Sequence, residues 1–183
     1  MKVYLLFLLM LLGGVASAQQ TPFRFSPLPL NTTTNTAVYT AVIPVTDTTK
    51  DQLFTRAKQW ATRVAPHYKA SVSHINPETG ALQLRGSIKK GQESFGFRLA
   101  VSVDNGSYTY QLDHITHTQP QTARQGKYSS PDPITTPIEA LVYTRPRKSR
   151  DKKLTQVDTH LRAVLDSLNV AMQGKPTSLT TQL

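Results

Sequence analysis

The chain has 183 residues, with 21 Lys and Arg against 11 Asp and Glu, and it has no cysteine. The lack of cysteine excludes disulfides, thiolate metal ligands and cysteine nucleophiles. The formal net charge of +10 bears on solubility and on attraction to anionic surfaces, but it does not indicate a fold.

The first 18 residues have the pattern of a secretory signal peptide. Lys2 precedes the apolar run Val3–Leu12, and Ala16–Ala18 supplies the small residues that a signal peptidase recognises. The run is too short to span a membrane, which takes about 20 apolar residues. We therefore predict cleavage after Ala18 and an exported, soluble protein, periplasmic or extracellular. It has no cysteine for lipid attachment, and we expect no transmembrane span after cleavage.

The rest of the chain is long enough for one domain with its own core. Residues 19–36 are rich in Pro and Thr, a composition that disfavours a packed core and predicts a disordered tether. A single α+β domain is predicted over residues 37–173, and residues 174–183 are expected to fray.

The first predicted elements are a strand and a helix. Residues 37–43 favour a strand, which Pro44 ends because proline cannot donate to a sheet. Thr49 followed by Gln52 forms a capping-box pattern at the start of a helix. Apolar residues then recur at three- and four-residue steps around Trp60, which predicts a helix with one buried face that ends before Pro66.

Strands are predicted next over residues 72–75, 82–88, 95–103 and 108–117, separated by turn sequences such as Asn105-Gly106. Residues 95–103 alternate strictly between apolar and polar, which indicates a sheet buried on one side only. Ile115 falls out of phase with this alternation, so a β-bulge is expected near Asp113.

A long loop is predicted over residues 118–136. Thr136 and Glu139 form a second capping-box pattern, with Pro137 at the first helical position, and predict a short helix through Tyr143. The last predicted helix carries a continuous apolar stripe, made of Leu154, Val157, Leu161, Val164, Leu165, Leu168 and Met172.

These elements predict an α+β fold. A curved antiparallel sheet of four to five strands carries two helices on one face, in the order β-α-β-β-β-β, short α, α. The other face of the sheet is expected to be polar and open. It is predicted to present Gln83, Arg85, Ser87, Arg98, Ser102, Thr109 and Gln111.

This element order resembles a known family. The capped helix of residues 49–64 centred on Trp60, with strands around Gly80 and Asn105-Gly106, is similar to exported bacterial domains of unknown function that are described as having a TATA-binding-protein-like (TBP-like) fold. The resemblance covers residues 37–172. It implies the fold and a cell-envelope setting, and it carries no established activity or functional residues.

The resemblance does not imply DNA binding. A TATA-box binder contains two such units and inserts apolar wedge residues into the minor groove. This chain has one unit, and its predicted open face has no aromatic wedges. Because export also removes the protein from chromosomal DNA, we expect no nucleic-acid partner.

No catalytic or metal-binding pattern stands out. His114 and His117 are three residues apart on a predicted strand, so their side chains are expected to point to opposite faces. There is no Gly-x-Ser-x-Gly motif, and Glu78, Glu93 and Glu139 each have a structural explanation. We predict no metal, no cofactor and no catalytic activity, with a hydrolase of unrecognised site as the least favoured alternative.

Two surfaces remain as candidates for binding. The first interpretation is a non-catalytic binding or structural module whose open sheet face meets an envelope protein or glycan. The alternative is an anion binder that recognises lipid headgroups or acidic glycans. The alternative depends on a basic run made of Arg145, Arg147, Lys148, Arg150, Lys152 and Lys153.

Overall fold

The computed structural model describes residues 26–120 and 132–174. The predictions for the signal peptide and for residues 175–183 lie outside this range, as do residues 121–131. In chain order the elements are β1 (Tyr39–Pro44), α1 (Lys50–Val64), β2 (Ser71–Asn76), β3 (Ala81–Lys90), β4 (Glu93–Asp104), β5 (Ser107–Gln119), β6 (Ile134–Pro137), α2 (Ile138–Val142) and α3 (Lys148–Met172).

The described strands form one antiparallel sheet in the order β1-β5-β4-β3-β2, with β6 also paired to β5. Alternate residues of β3, β4 and β5 share one hydrophobic core with the apolar stripes of α1 and α3. The predicted α+β class, with two long helices on one face of an antiparallel sheet, is therefore confirmed. None of the described helices is both long enough and apolar enough to cross a membrane.

Helix α1 begins as its sequence predicts. The Thr49 hydroxyl accepts a hydrogen bond from the backbone N–H of Gln52, and the Gln52 side chain accepts one from the N–H of Thr49. This box satisfies backbone donors that the first turn leaves free. Trp60 is buried, and its Nε1 donates to the Ser167 hydroxyl of α3 at 3.0 Å, so it joins the two long helices.

The predicted bulge is present in β5. Gly96 pairs with Thr116 and Arg98 pairs with Asp113, so His114 and Ile115 together oppose a single residue of β4. His114 has a φ of +49°, a left-handed conformation that few non-glycine residues adopt. The extra residue returns Ile115 to the core face.

The predicted loop of residues 118–136 is wrong at both ends. Strand β5 runs to Gln119, and Ile134–Pro137 forms β6, which pairs with β5 from Thr116 to Gln119. Strand β1 covers the same edge of β5 only from Ser107 to Leu112. The backbone groups further along that edge are therefore available to β6.

The second predicted capping box is also wrong. Helix α2 has Pro137 at its N-cap position, with no side-chain hydrogen bond there. Thr136 belongs to β6. The Glu139 carboxylate accepts a hydrogen bond from the backbone N–H of Ala37 at 2.7 Å. The Glu139 side chain, which the local pattern assigned to the start of the helix, therefore bonds the backbone of a residue distant in sequence.

The predicted tether is wrong over its described part, residues 26–36. Leu28 is only 2% exposed and belongs to the core. The Val38 N–H donates to the Pro29 carbonyl at 3.0 Å, and Leu30 forms an isolated bridge with Ala37. The surrounding Pro and Thr residues disfavour packed structure, but the burial of Leu28 and these backbone hydrogen bonds offset that effect.

Candidate functional site: the open sheet face

The sheet face opposite the long helices, here called the open face, brings together the predicted polar residues. Strand pairing places Arg85 opposite Arg98 and Arg98 opposite Asp113, in one row across β3, β4 and β5. Neighbouring rows contain Gln83 with Gln111 on either side of Ala100, Ser102 opposite Thr109, and Ser87 opposite Gly96. All seven predicted residues therefore lie on this face.

A single carboxylate organises the centre of the open face. Arg98 donates from Nε to Oδ1 of Asp113 at 2.7 Å and from Nη2 to Oδ2 at 2.8 Å. The Gln111 amide donates to Oδ2 at 2.7 Å, and Nδ1 of His114 lies 2.9 Å from Oδ1. The bidentate pairing of the Arg98 guanidinium with the Asp113 carboxylate holds these two side chains in place.

This network changes the ionisation of Asp113. Burial by itself would raise the pKa of Asp113, but the hydrogen bonds from Arg98, Gln111 and His114 outweigh burial and hold that pKa at about 2. The bond to Asp113 also raises the pKa of Arg98. Both groups are therefore charged across the physiological range, and the pair acts as a fixed dipole.

The bulge places an imidazole at the surface of this network. The His114 side chain is 66% exposed, whereas the Asp113 side chain is 9% exposed. The sequence predicts the bulge but misses Asp113 and His114 as members of the site. The available signal was the phase change at Ile115, because an inserted residue turns the side chains next to it toward one face.

Two cavities adjoin the network on the open face. One of about 360 Å³ lies among Arg85, Gly96, Arg98 and His114. The other, of about 520 Å³, extends from His114 toward β1 and residues 31–37. Gly96 makes room for the neighbouring Thr116 side chain, since a Cβ at position 96 would lie 2.5 Å from Oγ1 of Thr116.

Arg85 supplies positive charge beside the paired centre. It is exposed, and within residues 26–120 and 132–174 its side chain makes no hydrogen bond or ion pair. Val42, on the same face of edge strand β1 opposite Thr109, is 68% exposed. The described part of the open face thus combines a rigid polar centre with the cation of Arg85, which has no partner among the described residues, and the exposed apolar side chain of Val42.

The two strand histidines lie on opposite faces, as their spacing predicts. His117 is buried against the core side, where it stacks on Phe95 and its Nε2 lies 3.0 Å from Oε2 of Glu93. His114 faces the other way, toward Asp113. Among the described residues no group of three or more His, Asp or Glu is placed to hold a metal ion.

The six residues of the basic run do not share one environment. Arg150 is buried, and its Nη1 donates to the carbonyls of Val142 at 3.2 Å and Thr144 at 2.6 Å, while its Nε donates to Asp151. It therefore satisfies carbonyls at the end of α2, which that helix leaves without partners. Lys153 is paired with Glu93 at 2.7 Å.

The other four members, Arg145, Arg147, Lys148 and Lys152, are exposed. Arg145 and Arg147 line a cavity of about 400 Å³ beside the start of α3. The N-cap residue of α3 is Arg147, which makes no side-chain capping bond. Positive side chains here oppose the helix dipole unless an anion is near.

A single antiparallel sheet with two long helices on one face and the other face open is the TBP-like arrangement, present once among the described residues. Residues 39–118 match the family model "Domain of unknown function (DUF4468) with TBP-like fold". The family resemblance inferred from the element order is thereby confirmed. No curated protein matches the chain.

Solved structures that are similar to the chain include the two described next. A TBP-like protein from Parabacteroides distasonis is 11% identical with a TM-score of 0.63, over 81% of this chain and 99% of that one. A DUF4468 family protein from Bacteroides ovatus is 12% identical with a TM-score of 0.64, over 85% of this chain and 96% of that one. At these identities the likeness establishes the fold alone.

Proposed function

We propose that the protein is an exported, non-catalytic module that binds a partner protein of the cell envelope through the open face. The observation that carries the proposal is the Asp113 network: three side chains converge on one carboxylate at the centre of the uncovered face. The hydrophobic core lies on the other side of the sheet, so the network is not needed to fill it.

The composition of the open face supports a protein partner over a glycan. Arg85 offers donors for a carboxylate, and Val42 offers apolar contact, a combination typical of protein interfaces. Among the described residues that pairing places on this face there is no Phe, Tyr or Trp side chain on which a sugar ring could stack. The fixed Arg98–Asp113 pair lowers the ordering cost of binding, because its side chains are already held.

The test is capture of a partner from envelope extract of the source cells by the chain expressed from Gln19 onward. The Arg85→Glu/Ser102→Glu variant changes the open face without touching the core. The control, Lys58→Glu/Thr62→Glu, makes the same charge change on the exposed side of α1. A captured protein is then purified and titrated against all three forms.

We expect the wild type and the control to bind the purified partner alike, and the open-face variant to bind at least tenfold more weakly at an unchanged melting temperature. Equal binding by all three would overturn the proposal. Turnover of an ester, peptide or glycoside substrate that His114→Ala abolishes would instead favour the hydrolase alternative.

A second candidate function is binding to anionic surfaces. It is favoured by the cavity that Arg145 and Arg147 line beside the start of α3, where an anion would relieve the unfavourable helix-dipole interaction. Of the six residues of the basic run, only the four exposed ones support this function, because Arg150 and Lys153 already have partners in the fold.

Vesicles of phosphatidylglycerol, with phosphatidylcholine as the neutral reference, test this candidate. Binding should weaken steeply with salt and should be lost in Arg145→Gln/Arg147→Gln/Lys148→Gln. The control, Lys58→Gln/Arg63→Gln/Lys89→Gln, removes the same charge from exposed positions elsewhere. Equal loss in both triple variants would show that only net charge matters and would contradict a specific site.

A further inference from the structure

We propose a second binding site, separate from the open face, that takes a small amphipathic molecule with an apolar tail and an anionic headgroup, such as a medium-chain fatty acid. The site is a cavity of about 510 Å³ between the β3–β4 turn and helix α3. Ligand cavities in proteins typically measure about 300–1,000 Å³, so this one has the size for a single small ligand.

The floor of the cavity is apolar. Ile88, Phe95 and Val157 line it, and all three belong to the hydrophobic core. The cavity therefore opens onto the core side of the sheet, between a strand hairpin and a helix. An alkyl chain placed there exchanges water for carbon contacts, which provides the main favourable term for an apolar ligand.

The rim of the cavity favours an anion. Of the described residues that line the cavity, Glu93 alone is acidic, whereas Lys90 and Lys153 are basic. The Glu93 carboxylate is already occupied: its Oε1 accepts from Nζ of Lys153 at 2.8 Å, and its Oε2 lies 3.0 Å from Nε2 of His117. The second positive group of the rim, Lys90, therefore has no carboxylate partner among the described residues.

Further donors surround that charge. Lys90, His160 and the amides of Gln92, Gln119 and Gln156 line the cavity, and their side chains make no hydrogen bond with the described part of the chain. A carboxylate headgroup has about four lone-pair sites to fill. The rim therefore offers more unused donors than one headgroup needs.

The network around Glu93 also fixes the shape of the site. Burial would raise the pKa of Glu93, but its bonds to Lys153 and His117 outweigh burial and lower that pKa. His117 is held on its other side by stacking on Phe95, with ring centroids 4.9 Å apart. The rim side chain Glu93 is consequently tied to both the sheet and α3 before any ligand arrives.

The test is titration of the chain expressed from Gln19 onward with decanoate, and separately with decanol as the uncharged match, both below their micelle concentrations. Binding is read by ¹H–¹⁵N chemical shifts. We expect saturable shifts that cluster at Glu93, Phe95 and Val157, and affinity for decanol that is about tenfold weaker, as loss of a charged hydrogen-bond partner predicts.

Two variant pairs locate the site. Lys90→Gln should weaken decanoate binding about tenfold, whereas Lys89→Gln, at an exposed position outside the lining, should not. Gln156→Trp should block the cavity, whereas Thr155→Trp, on the exposed side of the same helix, should leave binding intact. All four variants are checked by their melting temperatures.

The proposal is overturned if decanoate gives no saturable shifts, if decanol binds as well as decanoate, or if Gln156→Trp and Thr155→Trp bind alike. These measurements do not involve the partner of the open face. Failure here therefore leaves the proposed function untouched, and failure of the proposed function leaves this site untouched.

Discussion

Arg98 and Asp113 are directly opposite each other on β4 and β5, and the guanidinium bonds both carboxylate oxygens, at 2.7 and 2.8 Å. The pair lies immediately before the bulge, and pairing of the two strands resumes beyond it at Gly96 and Thr116. An ion pair thus fixes the alignment of the two central strands on the face that the helices leave uncovered.

The first prediction concerns this pair and pH. The pKa of Asp113 in the folded chain is about 2, below its ordinary 3.8, so folding favours the ionised form. The resulting stability is complete above about pH 5, falls as pH decreases toward 2, and is on the order of 2 kcal/mol at most. Asp113→Asn should therefore be less stable at pH 7 and should lose less stability than wild type between pH 7 and pH 3.

Urea unfolding at the two pH values measures this difference. Asp166→Asn, at an exposed aspartate of α3, is the control and should keep the wild-type pH dependence. An Asp113→Asn curve that falls with acid as steeply as the wild type would contradict a stabilising role for the pair.

The second prediction concerns the apolar face of α3. Leu161 is fully buried, so Leu161→Asp places an unpaired carboxylate in the core and should destabilise the domain by more than about 4 kcal/mol, enough to unfold it. Ala163→Asp, at an exposed position of the same helix, should fold. Circular dichroism melting curves compare the two, and a cooperative transition in Leu161→Asp near that of wild type would refute the assignment of this face to the core.

The third prediction separates two similar sequence patterns. Thr49 caps α1 with its hydroxyl, so Thr49→Ala should lower the free energy of unfolding by about 1 kcal/mol. Thr136 lies in β6 and caps no helix, so Thr136→Ala should have less than half that effect. Denaturant midpoints measure both. Equal losses would mean that Thr136 contributes as a cap after all.

The fourth prediction concerns two glycines with similar backbone angles. Gly80 and Gly91 have φ values of +70° and +60°. A Cβ at Gly80 would lie 2.6 Å from the Val103 carbonyl oxygen, whereas one at Gly91 would have no neighbour within 4 Å. Gly91→Ala should therefore show only the conformational penalty of about 1–2 kcal/mol, and Gly80→Ala a larger loss.

Thermal unfolding of the two alanine variants tests the comparison. The difference between them isolates the steric contribution at Gly80, because the backbone term is nearly common to both. If Gly91→Ala were the more damaging substitution, close packing of Gly80 against β4 would not explain its role.

The sequence predicted those elements whose pattern is set by the chain's own neighbours. Two of these patterns, the apolar stripe of α3 and the alternation of β4, place side chains on one face of a regular element. The third, the capping box of Thr49 and Gln52, bonds backbone donors three residues apart. The bulge in β5 was also predictable, because the extra residue shifts the phase of the alternation at Ile115.

The candidate site was only partly predictable, because sequence patterns report on residues that are near one another in the chain. Alternation placed Arg98 and Gln111 on the open face, but it could not show that both would bond the same carboxylate of Asp113. These hydrogen bonds depend on the register of the strands and on the β-bulge at His114. Likewise, the inward position of Arg150 depends on the carbonyls at the end of α2, which lie earlier in the chain.

By itself the sequence determined the helix and strand periods, the positive charge and the apolar faces, since these follow from residues a few positions apart. Only the tertiary structure decided that Ile134–Pro137 is a strand and that Leu28 lies in the core. It also decided that the Glu139 carboxylate accepts a hydrogen bond from the Ala37 N–H. In each of these cases the local sequence only weakly favours one structure, and contacts with another part of the fold outweigh that preference. The backbone groups and apolar surface of that part become available only when the sheet has formed.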